Sequence, residues 1–127
     1  MSLYSASLKK EKDKPTRYYS KKQENSIANA VGGKRTPNSG ATVFAKGDVV
    51  TDNWLLEAKT KTRDSDSISV KKEWITKNKE ESIFMDKEYC GIVINFGPNQ
   101  PNYYIIDELT FQELLEYQRK DTGENRD

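Results

Sequence analysis

The chain has 127 residues, the length of one domain, with 21 Lys+Arg, 20 Asp+Glu, no histidine and a single cysteine. Without histidine there is no Ser–His–Asp triad, no Cys–His pair, no His-ligated zinc and no nuclease that uses histidine as its base. One cysteine closes no intrachain disulfide and builds no thiolate zinc cage. Catalysis would have to use carboxylates, lysine, tyrosine or serine, with an oxygen-liganded metal such as Mg²⁺.

Apolar residues make up 34% of the chain, and exchanging its seven tyrosines for its seven glycines leaves that fraction unchanged. Typical domains hold roughly 45–50%. The core should be small, with disordered tails, an oligomeric interface or both. No apolar run approaches the ~20 residues of a membrane span, and the first ten residues lack the apolar stretch of a signal peptide. A cytoplasmic protein is expected, with no membrane partner.

The net charge of +1 hides an asymmetry. Residues 1–22 carry Lys9, Lys10, Lys12, Lys14, Arg17, Lys21 and Lys22 against Glu11 and Asp13, a local +5 that leaves −4 on the remainder. A basic arm on a slightly acidic body suits a protein that grips a polyanion; a solubilising disordered tail has the same composition. The expected division is an arm over 1–19, one domain over 20–120 and a frayed tail over 121–127.

In chain order, the polar, lysine-rich arm ends near Pro15. A helix is predicted from Ser20, with Ser20 as cap and Gln23 completing a capping box. Ile27, Ala30 and Val31 share its inner face, and Gly32–Gly33 end it. Residues 32–40, GGKRTPNSG, read as a loop carrying the adjacent cations Lys34 and Arg35. Residues 41–60 are strand-rich and contain a hairpin whose turn residues, Asp52 and Asn53, tolerate positive φ. Ser67 or Ser69 should cap a helix with Val70, Trp74 and Ile75 facing inward. Residues 90–96 form a continuous apolar run typical of a buried strand. After the turn at 97–102, a short strand spans 103–106. Asp107 or Thr110 then caps a last helix, to about Arg119, with Phe111, Leu114 and Leu115 on its inner face. The order α–β–β–β–α–β–β–α is that of a mixed α/β domain.

The hairpin brings charged residues together. With Asp52 and Asn53 at the turn, Val50 pairs with Leu55, Val49 with Leu56, and Asp48 with Glu57. Directly opposed Cβ atoms lie roughly 4.5–5.5 Å apart. Two carboxylates so placed repel and raise each other's proton affinity; a divalent cation between them removes the repulsion. Alternation along the strand puts Lys59 on the same face as Glu57. Asp, Glu and Lys on one face can bind Mg²⁺ through carboxylates and water, and the lysine can orient or deprotonate a water. That set suits phosphodiester hydrolysis. E-x-K on a strand is also a common accident in a chain that is 32% charged. The apolar flanks Val49, Val50, Leu55, Leu56 and Ala58 argue for burial in a sheet centre, where an unpartnered charge is expensive.

These residues resemble the PD-(D/E)xK nuclease superfamily, most closely the archaeal-type and phage Holliday junction resolvases. The matching segments are KKQENSIANAVGGKR, TPNSGA, KGDVV and LLEAKT, within residues 20–96. The resemblance implies a restriction-endonuclease-like α–β–β–β–α–β core: a central mixed sheet flanked by helices. It matches Glu24 to the family's helical acid, Asp48 and Glu57 to its metal-binding pair, Lys59 to its catalytic lysine and Ser39 to a serine near the site. The proline that nominally precedes the aspartate is Gly47 here.

The same resemblance implies a Mg²⁺-dependent DNA endonuclease, with Mn²⁺ able to substitute, that leaves 5′-phosphate and 3′-hydroxyl ends. Metal ligands would be Asp48, Glu57, the Ala58 carbonyl and Glu24. The partners would be branched or junction DNA and a second copy in a homodimer, in phage or cellular DNA recombination, with no nucleotide cofactor. DNA contacts would come from Lys9, Lys10, Lys14 and Arg17 of the arm, Lys21 and Lys22 of the helix, Lys34 and Arg35 of the loop, and Lys46. These would meet phosphates, which position a duplex without reading its sequence. Tyr18 and Tyr19 would stack on an unpaired base or act as packing residues. Restriction-type, repair or nonspecific nicking enzymes share the core, and a non-catalytic DNA-binding protein would leave the cluster idle.

Overall fold

The computed structural model describes residues 16–36 and 48–123. Helix α1 spans Thr16–Val31, β1 Lys34–Arg35, β2 Asp48–Val50, β3 Trp54–Lys59, α2 Lys72–Phe84, β4 Tyr89–Ile94, β5 Tyr103–Ile105 and α3 Glu108–Asp121. The string of elements reads α–β–β–β–α–β–β–α as expected, but its first strand is Lys34–Arg35, which the sequence reads as a loop, while residues 41–47, read as strand-rich, lie outside the described residues.

The five strands form one mixed sheet in the order β1-β2-β3-β4-β5. Strands β1–β2, β2–β3 and β4–β5 pair antiparallel, and β3–β4 pair parallel. A parallel pair needs a crossover connection, which α2 supplies by packing on β3 and β4. Helix α1 packs on β1, β2 and β3. This is an α/β fold with a central mixed sheet flanked by helices, and its topology is restriction-endonuclease-like.

The two sheet faces differ chemically. Ile27 of α1 joins Val49, Leu56 and Val93 in a buried cluster, with Val31, Trp54 and Ala58 packed against it. Each such aliphatic side chain stabilises the fold by roughly 1.5–3 kcal/mol. The alternate residues of β2 and β3, namely Asp48, Leu55, Glu57 and Lys59, fall on the opposite face. There the buried residues of α2 are Asn78 and Ser82, not aliphatics.

Four local expectations change. Helix α1 starts at Thr16, so Ser20 lies inside the helix rather than capping it, and its hydroxyl donates back to the Thr16 carbonyl at 3.0 Å. Lys34 and Arg35, expected in a loop, form an edge strand opposite Val50 and Val49. Gly33 permits this closeness: a Cβ there would lie 2.7 Å from the Val50 carbonyl oxygen. The β2–β3 register is as predicted, but Asp52 and Asn53 do not take positive φ. Instead, Thr51 Oγ1 accepts from the amides of Asn53 and Trp54, and Lys87 Nζ donates to the carbonyls of Thr51 and Asp52. These bonds hold the turn without a left-handed residue.

Fourth, the helix faces shift. Helix α2 begins at Lys72 behind Lys71, which makes no side-chain cap, so Val70 lies outside it and is exposed. Trp74 and Ile75 are half-buried. Helix α3 is capped by Asp107, whose Oδ1 accepts from the Thr110 amide at 2.8 Å. No residue of α3 is buried against the described residues, and Phe111 and Leu114 are exposed while Leu115 is half-buried. Both faces of β3, at the sheet centre, are already covered by α1 and α2, so α3 reaches the body at its margin, where Tyr89 Oη donates to Glu113.

Candidate metal centre

Asp48 opens β2 and Glu57 lies directly across from it on β3. The crossover brings α2 over the same face and adds Glu81. One carboxylate oxygen from each of Asp48, Glu57 and Glu81 lies within 4.8 Å of the others. Asp48 is only 1% exposed. Both of its oxygens, and Oε2 of Glu57, are buried without a hydrogen-bond partner among the described residues.

Buried acceptors without donors are costly, and the electrostatics show it. Burial first, then the charges of Glu57, Glu81 and Glu24, push the Asp48 carboxyl up to about 8, while Lys59 pulls the other way. Burial also raises Glu57, opposed by Lys59 and Lys77. Glu81 is raised by burial and by Glu57.

Lys59 Nζ lies 3.7 Å from Glu57 Oε1 and sits over the Trp74 ring, 4.7 Å from its centroid. The indole fixes the ammonium by a cation–π contact, so the lysine stands beside the cluster without neutralising Asp48. An all-oxygen set of three acids, with no imidazole or thiolate, suits a hard divalent cation such as Mg²⁺ or Mn²⁺ rather than zinc. The orphaned oxygens of Asp48 and Glu57 are what such an ion would satisfy.

Glu24 is buried on α1, the helix that covers the opposite face of the sheet. Its Oε1 accepts from Arg35 Nε at 3.2 Å, and its charge reaches Asp48. Ala58 pairs with Val93, and its side chain packs with the α1 cluster. Arg17, Lys21, Lys22 and Lys34 are exposed, whereas Arg35 is committed to Glu24. Lys9, Lys10, Lys14, Ser39 and Lys46 lie outside the described residues.

Sequence reasoning missed Glu81 and the ring beneath Lys59. The signal was present, since Trp74, Asn78 and Glu81 recur at i, i+4 and i+7 on one helical face. A search for an apolar stripe passes over a face that is mostly polar.

No family model matches the chain, and no curated protein or solved structure does. No described helix is long and apolar enough to cross a membrane.

Proposed function

We propose that the chain is a divalent-metal-dependent DNA endonuclease of the PD-(D/E)xK kind, resembling Holliday junction resolvases and acting on branched DNA as a homodimer. One observation carries the reading: Asp48, Glu57 and Glu81 converge, with both oxygens of Asp48 and Oε2 of Glu57 buried and unpartnered among the described residues, beside a lysine set over an indole. The restriction-endonuclease-like topology and the basic residues of the arm and α1 support it.

In this reading Asp48, Glu57 and Glu81 hold Mg²⁺, with the Ala58 carbonyl and Glu24 completing the set directly or through water. The ion would supply Lewis-acid stabilisation of charge on the phosphate. Lys59 Nζ donates a hydrogen bond that orients the attacking water and offsets phosphate charge. The water oxygen bonds to phosphorus and gives up a proton to solvent, the bond to the 3′-oxygen breaks, and that oxygen takes a proton from solvent. The products are a 5′-phosphate and a 3′-hydroxyl. Arg17, Lys21, Lys22, Lys34 and the arm lysines Lys9, Lys10 and Lys14 grip the backbone, with Lys46 and Ser39 near the scissile strand. Arg35 steadies Glu24. The proposed nuclease domain runs over 20–120; the last part of the basic arm, residues 16–19, is the first turn of α1.

The test is incubation with Mg²⁺ and labelled four-way junction, flap, mismatched duplex, linear duplex and single strand. Paired symmetric nicks confined to the junction support the resolvase reading. Equal cutting of all substrates replaces it with a general nuclease. Binding without cutting in Mg²⁺ or Mn²⁺ overturns the enzyme.

A further inference from the structure

On the α1 face of the sheet, just past the ends of β3 and β4, lies a polar cleft of about 170 Å³. It is distinct from the carboxylate cluster, which occupies the opposite face. Its walls are built by Tyr19 and Gln23 of α1, Thr60 after β3, Asn95 after β4, and Gln100 and Asn102 of the following loop. Gln23 is fixed there, with Nε2 donating to the Val93 carbonyl at 3.4 Å and Oε1 accepting from Thr60 Oγ1 at 2.6 Å. Asn102 Nδ2 donates to Ser26 Oγ at 3.1 Å. The wall is thus pre-organised by its own hydrogen bonds.

Asn95 is the exception. It lines the cleft, is only 5% exposed, and its Oδ1 is buried with no partner among the described residues. An unmet buried carbonyl calls for a ligand that donates a hydrogen bond. A phosphodiester has no donor to give, and an apolar ligand would leave the oxygen as costly as before. A nucleobase has ring N–H or exocyclic amino donors, and side-chain amides read bases through such edges with an aromatic ring stacked alongside. Tyr19 supplies the ring, held edge-on by Tyr18 at 5.2 Å between centroids. The volume is below the ~300 Å³ at which drug-sized sites begin, a fit for one ring system rather than a whole nucleotide. Lys22 and Lys61 flank the cleft, and among the described residues no carboxylate lines it. The polyanion to which such a base belongs therefore meets cations at the rim.

We propose that this cleft takes an unpaired nucleobase of the DNA bound at the carboxylate cluster. The inference deepens the nuclease reading and rests on it for the identity of the polymer. Thr60 and Lys61 follow Lys59 directly, so the cleft and the carboxylate cluster adjoin the same end of β3 from its two faces. Recognition of an unpaired base gives a nuclease without sequence specificity a way to select distorted or branched DNA, since an intact duplex offers no such base.

The test has two arms. The full-length protein, labelled with ¹⁵N, is titrated with thymidine 5′-monophosphate, deoxyadenosine 5′-monophosphate, 2-deoxyribose 5-phosphate and inorganic phosphate. The side-chain amides of Asn95, Gln100 and Asn102 shift with the nucleotides and not with the sugar phosphate. Equal shifts with phosphate alone, or none with any probe, overturn the proposal. In the second arm, affinity is measured in EDTA for a duplex with one unpaired nucleotide and for the same duplex with an abasic residue there. The base should tighten binding at least about fivefold, and Gln100→Ala, at the exposed rim, and Asn95→Leu should each shrink that ratio. Equal affinity for both duplexes overturns the cleft while leaving the nuclease standing. Nucleotide-dependent shifts in a protein that cuts no DNA in Mg²⁺ sustain the cleft and sink the nuclease.

Discussion

Asp48 and Glu57 face each other across the β2–β3 hairpin, in register and on the same side of the sheet. Burial of Asp48, with the repulsion of Glu57 added to it, is part of the metal-free fold, and it sets a pH dependence. The folded Asp48 carboxyl titrates at about 8, against an ordinary 3.8. Between those values the folded protein holds a proton that the unfolded chain releases. The stability from the protonated form is complete below about pH 4 and is lost as pH rises through about 8. Glu57 and Glu81 shift in the same direction. Urea unfolding of the metal-free protein should show a loss on the order of 5 kcal/mol across that window. Asp48→Asn should remove most of it and be the more stable protein at alkaline pH.

A divalent cation held by this cluster would bind the ionised carboxylates, so it should reverse that trend. Added Mn²⁺ or Ca²⁺ should raise Tm more at alkaline than at acidic pH. Glu81→Gln should weaken Mn²⁺ binding by at least about tenfold in calorimetry. An unchanged affinity would remove Glu81 from the site.

Lys59→Ala should lower kcat by at least about 100-fold with DNA affinity nearly retained. Asp48→Asn should likewise abolish cleavage. Single-turnover cleavage beside binding anisotropy separates the two effects; activity surviving both substitutions would place the chemistry elsewhere.

Arg35→Ala strips the partner from the buried carboxylate of Glu24. The pair sits at the sheet margin, so the expected cost is about 1–2 kcal/mol. Glu24→Gln in the same background should recover part of that loss, which a double-mutant cycle by chemical denaturation measures.

Gly97→Ala should cost at least about 2 kcal/mol. Its φ of +151° disfavours a side chain, and a Cβ there would lie 2.8 Å from Asp64 Cα. A thermal melt of the variant checks it.

Much of this architecture was readable from residue order. The hairpin register follows from taking Asp52–Asn53 as the two turn residues, which sets Val50 opposite Leu55 and Asp48 opposite Glu57. The apolar run in β4 was equally direct, and of the two caps offered, Asp107 and Thr110, the chain uses Asp107. The α2 face was not readable, because its floor is Asp48, Glu57 and Lys59, and a helix over a charged floor buries Asn78 and Ser82 and turns Ile83 and Phe84 outward. The helix start was obscured by Ser20, which offers the same hydroxyl to a cap or to the preceding turn. Of the site, the half on one hairpin was legible and Glu81 was not, since its proximity depends on the crossover of a whole helix.

That division has a kinetic consequence. Asp48 and Glu57 meet when a short turn closes, whereas Glu81 joins only when the crossover helix α2 packs on β3 and β4. Long-range parallel pairing closes slowly, so the third oxygen joins late on the folding route. A cation that needs all three stabilises the native state more than the folding barrier, and it should slow unfolding more than it speeds folding. The protein would then release its ion chiefly by partial opening of the crossover, so that the persistence of the loaded state tracks the lifetime of α2 on the sheet.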